Sequence, residues 1–429
     1  MPANFTRLLC VLAFCLAHLP AAPAWAQADV AAAQIHLQEA GQAYREGDFA
    51  GFTNSLETAL DLNPASLATR YNLACAYART DRNDDALRLL QGLVDARVDY
   101  GMADDPDLAS LHGNAEFDEM LRTLDNNLQP VSGSTHRFTL DQLGLIPEGI
   151  AIDQATSRTF LGSMRNGDIF VIDAAGQMSK FANVADHGKM AAIGLFVDAE
   201  RKVLWAVGAT FNLVEDFDPE APARSGVFGF NLTTGQLEHQ YMADEPGSGF
   251  NDVTVAPSGD LYLSGDALSV VRDGSDVIQP VKTRQKIFGS NGVAITPDGD
   301  RLFVTSYPVG IATVDLSSGE TVWLEAPGGA TLYGIDGLYW YEGDLVGVQN
   351  GVNPWRLVRL RLDKSQTAIT DIRMLEFANE NITPTTGAIV GDIIHYVGQG
   401  PQPEVIPGHF AENMAPFLGE TIVMTAPLN

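Results

Sequence analysis

One short pattern recurs six times in the C-terminal two thirds of this chain: a leading residue, a small or short one, then an alternating apolar run. It reads EGIAI from Glu148, IGLFV from Ile193, NDVTV from Asn251, NGVAI from Asn291, DGLYW from Asp336 and TGAIV from Thr386, at intervals of 45, 58, 40, 45 and 50 residues. Between the copies lie turn signals such as RNGD, APSGD, TPDGD and SSGE, which break the chain into short strands. A repeating unit of about 40–50 residues built from several strands is the signature of a β-propeller, in which each unit is a four-stranded blade. Six copies predict an all-β, six-bladed β-propeller over residues 134–429. The early strand THRFTLD and the last strand ETIVMTAPL are expected to share a blade and so remove the open edges.

Upstream, the periodicity is helical. The run Ala40–Asn63 is followed at Leu73–Leu90 by a segment of the same pattern, with Tyr44 and Tyr77 33 residues apart and small residues Ala40, Ala43, Ala74 and Ala78 where paired helices would meet. Gly47 and Asp48 suit a turn, and Pro64 is expected to open the next helix. Residues 27–128 thus resemble tetratricopeptide repeats, with Asp105–Leu124 as a terminal capping helix. Such arrays need about three repeats to bury a continuous core. Only two are visible, so this N-terminal all-α domain is expected to lean on the rest of the chain or on a protein partner.

The first 26 residues read as an export signal. Arg7 precedes the apolar run Leu8–Leu19, which is only 12 residues long and falls short of the ~20 a membrane span requires. Cleavage after Ala26 would release a soluble periplasmic or extracellular protein with Cys75 as its only thiol. Acidic residues number 54 against 26 basic ones, a net charge of −28. That balance disfavours nucleic acid and anionic lipid, whose phosphates are held by clustered cations, and it favours cations as guests.

The six leading residues sit at equivalent depth if each repeated segment is the innermost strand of its blade. In order they are Glu148, Ile193, Asn251, Asn291, Asp336 and Thr386. Four of them offer a carboxylate or amide oxygen. A ring of hard oxygen donors of mixed charge suits one divalent cation, calcium most readily, with magnesium, manganese or zinc as alternatives. Loops joining the second and third strands of each blade lie on the same face and should form a mouth. From them Asn212, Tyr307, Asn350 and Trp355 are candidates for substrate contact, and the proline-rich run Gln399–Met414 is a candidate lid. No GxSxG elbow is present, and no histidine pairs with serine in a recognisable motif.

The segments PEGIAID, FNDVTVAPSGDLYLSGD, SNGVAITPDGDRLFVTS and IDGLYWYEGDLVGV resemble blades of the family comprising senescence marker protein, gluconolactonase and luciferin-regenerating enzyme. The resemblance covers residues 134–429. It implies one divalent cation held by Glu148, Asn291 and Asp336. Asn251 and Asp252 would be placed to contact substrate or a metal-bound water, Asn251 as a fourth ligand. It further implies metal-assisted hydrolysis of a lactone or ester, with Asp336 or Asp252 as general base. Arginine is absent near Asn251, where sugar-lactone enzymes place one. The alternative is a non-catalytic propeller with a structural metal, carrying a helical protein-interaction domain.

Overall fold

A computed structural model describes residues 29–140, 144–244, 249–399 and 420–429. The expected export signal, and all of the expected lid except Gln399, lie outside these residues. No helix among the described residues is long and apolar enough to cross a membrane.

Five helices come first. Helices α1 (Val30–Glu46) and α2 (Phe49–Leu62) form a hairpin whose turn is made by Gly47 in the left-handed region and by Asp48, whose carboxylate caps α2 by accepting from the Gly51 N–H. Glycine suits that corner because it enters the left-handed region without a Cβ clash. A second pair follows, α3 (Leu67–Arg79) and α4 (Asn83–Ala96). Pro64 lies in the preceding turn, and Ser66 caps α3 in its place. The expected single capping helix is two elements, because Asn114 starts a helix of its own. A 3-10 turn, Pro106–Leu111, stops at His112, and the Asn114 side chain caps α5 (Ala115–Asn127).

The six repeated segments are the innermost strands of six antiparallel blades: Pro147–Asp153, Ala191–Asp198, Phe250–Val255, Ser290–Ile295, Ile335–Tyr341 and Thr383–Val390. In the last blade, Thr135–Leu140 is the outermost strand and pairs with Thr421–Pro427, so both ends of the propeller chain close the ring together. Val131–Ser132 adds a short fifth strand to the fifth blade. Apolar layers fill the gaps between blades, and strand periodicity divides them. In Val203–Ala209, Leu204 and Ala206 face the first blade while Val203, Trp205 and Val207 face the third. Every neighbouring pair of blades shares such a layer.

The helices dock on the rim of the fourth and fifth blades. Val352 and Tyr333 of the propeller complete the helical core. Asn353 and Asp99 exchange two bonds of 2.8 Å, Asp99 N–H to the Asn353 carbonyl and Asn353 Nδ2 to the Asp99 carbonyl. The Asn63 amide donates to the Pro308 carbonyl at 3.1 Å. Arg356, only 2% exposed, donates to the carbonyls of Ala96 and Arg97 at the C-terminal end of α4, at 3.0 and 2.8 Å. Orphan carbonyls and the negative end of the helix dipole thereby meet a cation. Removing the guanidinium would take this partner from both carbonyls, that of Ala96 within the buried interface. Arg356→Ala should lower unfolding stability by about 2–4 kcal/mol, read by chemical denaturation; an unchanged midpoint would contradict this account of the docking.

Candidate functional site

Each innermost strand is irregular at the same place. Pro147 pairs with Ser163 and Ile150 with Leu161, so Glu148 and Gly149 together oppose one residue, Gly162. The same β-bulge sets off Ile193–Gly194, Asn251–Asp252, Asn291–Gly292 and Asp336–Gly337. In the sixth blade the unpaired residue is Thr385, between Pro384 and Thr386. A bulge frees a residue from the ladder and re-aims its side chain; repeated around the axis, it gathers these residues at one level. The glycines follow from how close the strands come there. A Cβ on Gly194 would stand 2.7 Å from the Asp252 Cα, and one on Gly292 would collide with the carbonyl of Asp336 and lie 2.6 Å from the Leu338 nitrogen.

Three buried acids act on one another electrostatically at this ring. Burial, and then the charges of Asp336 and Asp252, push Glu148 well above the usual carboxylate range, against a hydrogen bond from Thr385. Burial raises Asp252 to about 7, with Asp336 adding to the rise, although the backbone N–H groups of Val253 and Val293 oppose it. Asp336, 8% exposed, is raised by burial to about 6 while the amides of Asn350 and Asn291 hold it down. The groups acting on these acids are burial, one another and neutral donors. Among the described residues, no Lys, Arg or His is one of them.

Two cavities flank the ring. The starts of the innermost strands of the third and fourth blades border one of 320 Å³, lined by Phe211, Arg224, Asn251, Asp266 and Asn291 among others. The far halves of the same strands border another of 550 Å³, which takes in Asp252, Tyr339 and Thr386. Adjacent residues Asn251 and Asp252 therefore line different cavities.

Glu148, Asn251, Asp252, Asn291 and Asp336 all stand where the repeat placed them. The sixth position shifts: Thr385 occupies the bulge beside Glu148, while Thr386 bonds the Tyr339 hydroxyl at 2.7 Å. Aligning Pro384 with Pro147 of PEGIAID, rather than glycine with glycine, would have selected Thr385. Tyr307 and Asn350 lie behind Asp336, linked to it by hydrogen bonds. Trp355 is half-buried away from the axis, its indole N–H donating to the Asn379 carbonyl at 2.9 Å. Asn212 is exposed, and its neighbour Phe211 lines the mouth cavity instead. Tyr339 and Arg224 carried no sequence signal beyond strand and loop position.

The donor set fits a hard divalent cation. Among the described residues no three His, Cys, Asp or Glu side chains stand close enough to clasp an ion by themselves. An ion on the axis would therefore need amide oxygens beside the carboxylates, and Asn291 and Asn251 supply them. Buried carboxylates that raise one another's pKa, with no cation among their partners in the described residues, have the charge such an ion would neutralise.

Fold and ring together define a six-bladed propeller with an acidic axial site. Residues 146–326 match the family model described as the SMP-30/Gluconolactonase/LRE-like region; the match includes Glu148, Asn251, Asp252 and Asn291 and ends before Asp336. Among solved structures, a gluconolactonase from Xanthomonas campestris is 14% identical, covering 68% of this chain and 88% of that one, with a TM-score of 0.45. A calcium-binding protein, regucalcin from Agrobacterium tumefaciens, is 16% identical over 67% and 93%, TM-score 0.46. A luciferin-regenerating enzyme is 12% identical over 70% and 95%, TM-score 0.47. Likenesses this slight carry no argument about activity. No curated protein matches the chain.

With divalent ions chelated, the acids bind more protons folded than unfolded, because their folded values lie above the ordinary range. Their contribution to stability is full below about pH 4 and is lost as pH rises through about 6 to 7. Between pH 5 and pH 8, chelated wild type should therefore lose about 2–4 kcal/mol relative to Asp252→Asn. Denaturant midpoints measured in parallel would reveal it, and parallel curves for the two proteins would refute the electrostatic account.

Proposed function

We propose that the axial ring holds one divalent cation and hydrolyses a lactone or a related ester. Glu148, Asn291 and Asp336 are the proposed ligands, with Asn251 beside them at the mouth, and calcium is the ion that oxygen donors of this kind suit most readily. The supporting observation is that three buried acids, at three of the six equivalent bulges, raise one another's pKa with no basic side chain among the described residues acting on them. The gluconolactonase-like domain supports the choice of reaction. Behind the apolar leader Leu8–Leu19, such an enzyme would act outside the cytoplasm.

A bound cation would supply Lewis acidity, polarising a carbonyl and lowering the pKa of water. The chain's own residues do the rest. The 320 Å³ cavity beside Asn251 and Asn291 is of a size for a small ring, with Phe211 as an apolar wall. The amides of Asn350 and Asn291 orient the Asp336 carboxylate. That carboxylate takes a proton from the attacking water and returns it to the alcohol oxygen released when the ring ester C–O bond breaks. Asp252 is held by the Val253 N–H at 2.8 Å and lines the other cavity, which makes it the lesser candidate for that proton.

Metal analysis of the dialysed protein, combined with a panel of lactones and aryl esters, tests the reading. One ion per chain and ion-dependent hydrolysis are expected. Asp336→Ala should strip the ion, and Asp336→Asn should cut turnover by about 10²-fold or more with a smaller loss of occupancy. A fully loaded wild type that hydrolyses nothing in the panel would leave a metal-holding scaffold as the better reading.

A further inference from the structure

Asp336 does not stand alone at the ring. Its Oδ2 accepts from Asn350 Nδ2 at 2.7 Å, and the same Nδ2 donates to the Pro384 carbonyl at 3.0 Å. The opposite end of that amide, Asn350 Oδ1, accepts from the Tyr307 hydroxyl at 3.1 Å. We propose that Asn350 and Tyr307 are positioning residues for Asp336, fixing which way its carboxylate is presented to the axial cation.

Only one orientation of the Asn350 amide satisfies all its partners. Turned over, it would set its oxygen against an ionised carboxylate and a carbonyl, both of them acceptors. Burial, followed by the charge of Asp336, holds the Tyr307 phenol protonated. The strut also spans two blades. Asn350 follows the second strand of the fifth blade, whereas Pro384 lies in the innermost strand of the sixth, directly before Thr385, whose hydroxyl donates to the carbonyl of Pro147 next to Glu148 at 3.3 Å. One amide thereby ties the proposed ligand Asp336 to the innermost strand of the sixth blade.

Tyr307 is itself tightly held. Its backbone N–H donates to the Gly289 carbonyl at 3.1 Å, and its carbonyl accepts from the Gly334 N–H at 2.8 Å. Its ring lies 6.4 Å from that of Tyr333, which packs into the helical core. Gly351 explains how the hydroxyl reaches Asn350, since a Cβ there would stand 2.7 Å from the Tyr307 oxygen and 2.6 Å from the Gly334 Cα. The docked helices thus back a tyrosine whose far end holds the amide that orients Asp336.

This inference rests on the metal reading above, and calorimetric titration with calcium separates the two. Groups that orient a ligand from behind typically change metal affinity by about 10–100-fold when removed. Asn350→Ala should weaken calcium binding within that range, and Tyr307→Phe, which leaves the Asn350 donor in place, by about 3–10-fold. A merely structural role would lower the melting temperature in chelator and leave the affinity of the folded protein unchanged. Should Asn350→Ala fail to fold, Tyr307→Phe decides alone. If wild type binds calcium and the folded variants bind it equally well, the positioning role is overturned while the metal site stands. If wild type binds no divalent ion, both are overturned.

Discussion

The extra residue at the start of every innermost strand is the constraint on which the site depends. In a regular antiparallel pair the residues Glu148, Asn251, Asn291 and Asp336 would be committed to the ladder and to the apolar layers between blades. The bulge releases them, and because it recurs at one level in six strands, polar groups from remote parts of the chain meet on the axis. The cost is concentrated there too. Carboxylates are gathered where burial already disfavours their charge, and the backbones approach closely enough to demand glycine at 149, 194 and 292. Local rules of propensity and polar burial are broken together at one spot, which is the usual mark of a functional site.

Much of this architecture can be read from the amino-acid order. Alternating apolar runs bounded by Gly-rich turns fix strand number and period, and Glu148, Asn291 and Asp336 stand out because each precedes a glycine at the same point of the repeat. The bulge itself leaves no such trace, since pairing register depends on the opposing strand; this is why the sixth position moves from Thr386 to Thr385. Loop residues are less legible still. Tyr307 and Asn350 look like solvent-facing loop positions in the sequence, and only packing reveals that one reaches the other through the gap at Gly351 and that the pair points inward. Trp355, from the same loop, turns instead toward Asn379 and Tyr396.

The helices contribute more than a cap. With two hairpins, a 3-10 turn and α5, they bury a core that is completed by Val352 and Tyr333 of the propeller. A chain of such limited size gains stability by sharing apolar surface. The linker to the propeller is pinned as well: Glu376, fully buried, accepts from the N–H groups of Gly133 and Ser134 at 2.8 Å each and from Asn379 Nδ2 at 2.8 Å. These bonds hold Val131–Ser132 on the fifth blade and lead Thr135–Leu140 into the sixth, so ring closure and helix docking meet at one junction.

A crystal of the protein grown with manganese, with data collected at the manganese absorption edge, tests the central claim most directly. The account predicts one anomalous peak on the propeller axis, within about 2.0–2.6 Å of oxygens from Glu148, Asn291 and Asp336. A fully occupied peak elsewhere, or an axis without one while the bulged residues keep their positions, would contradict it.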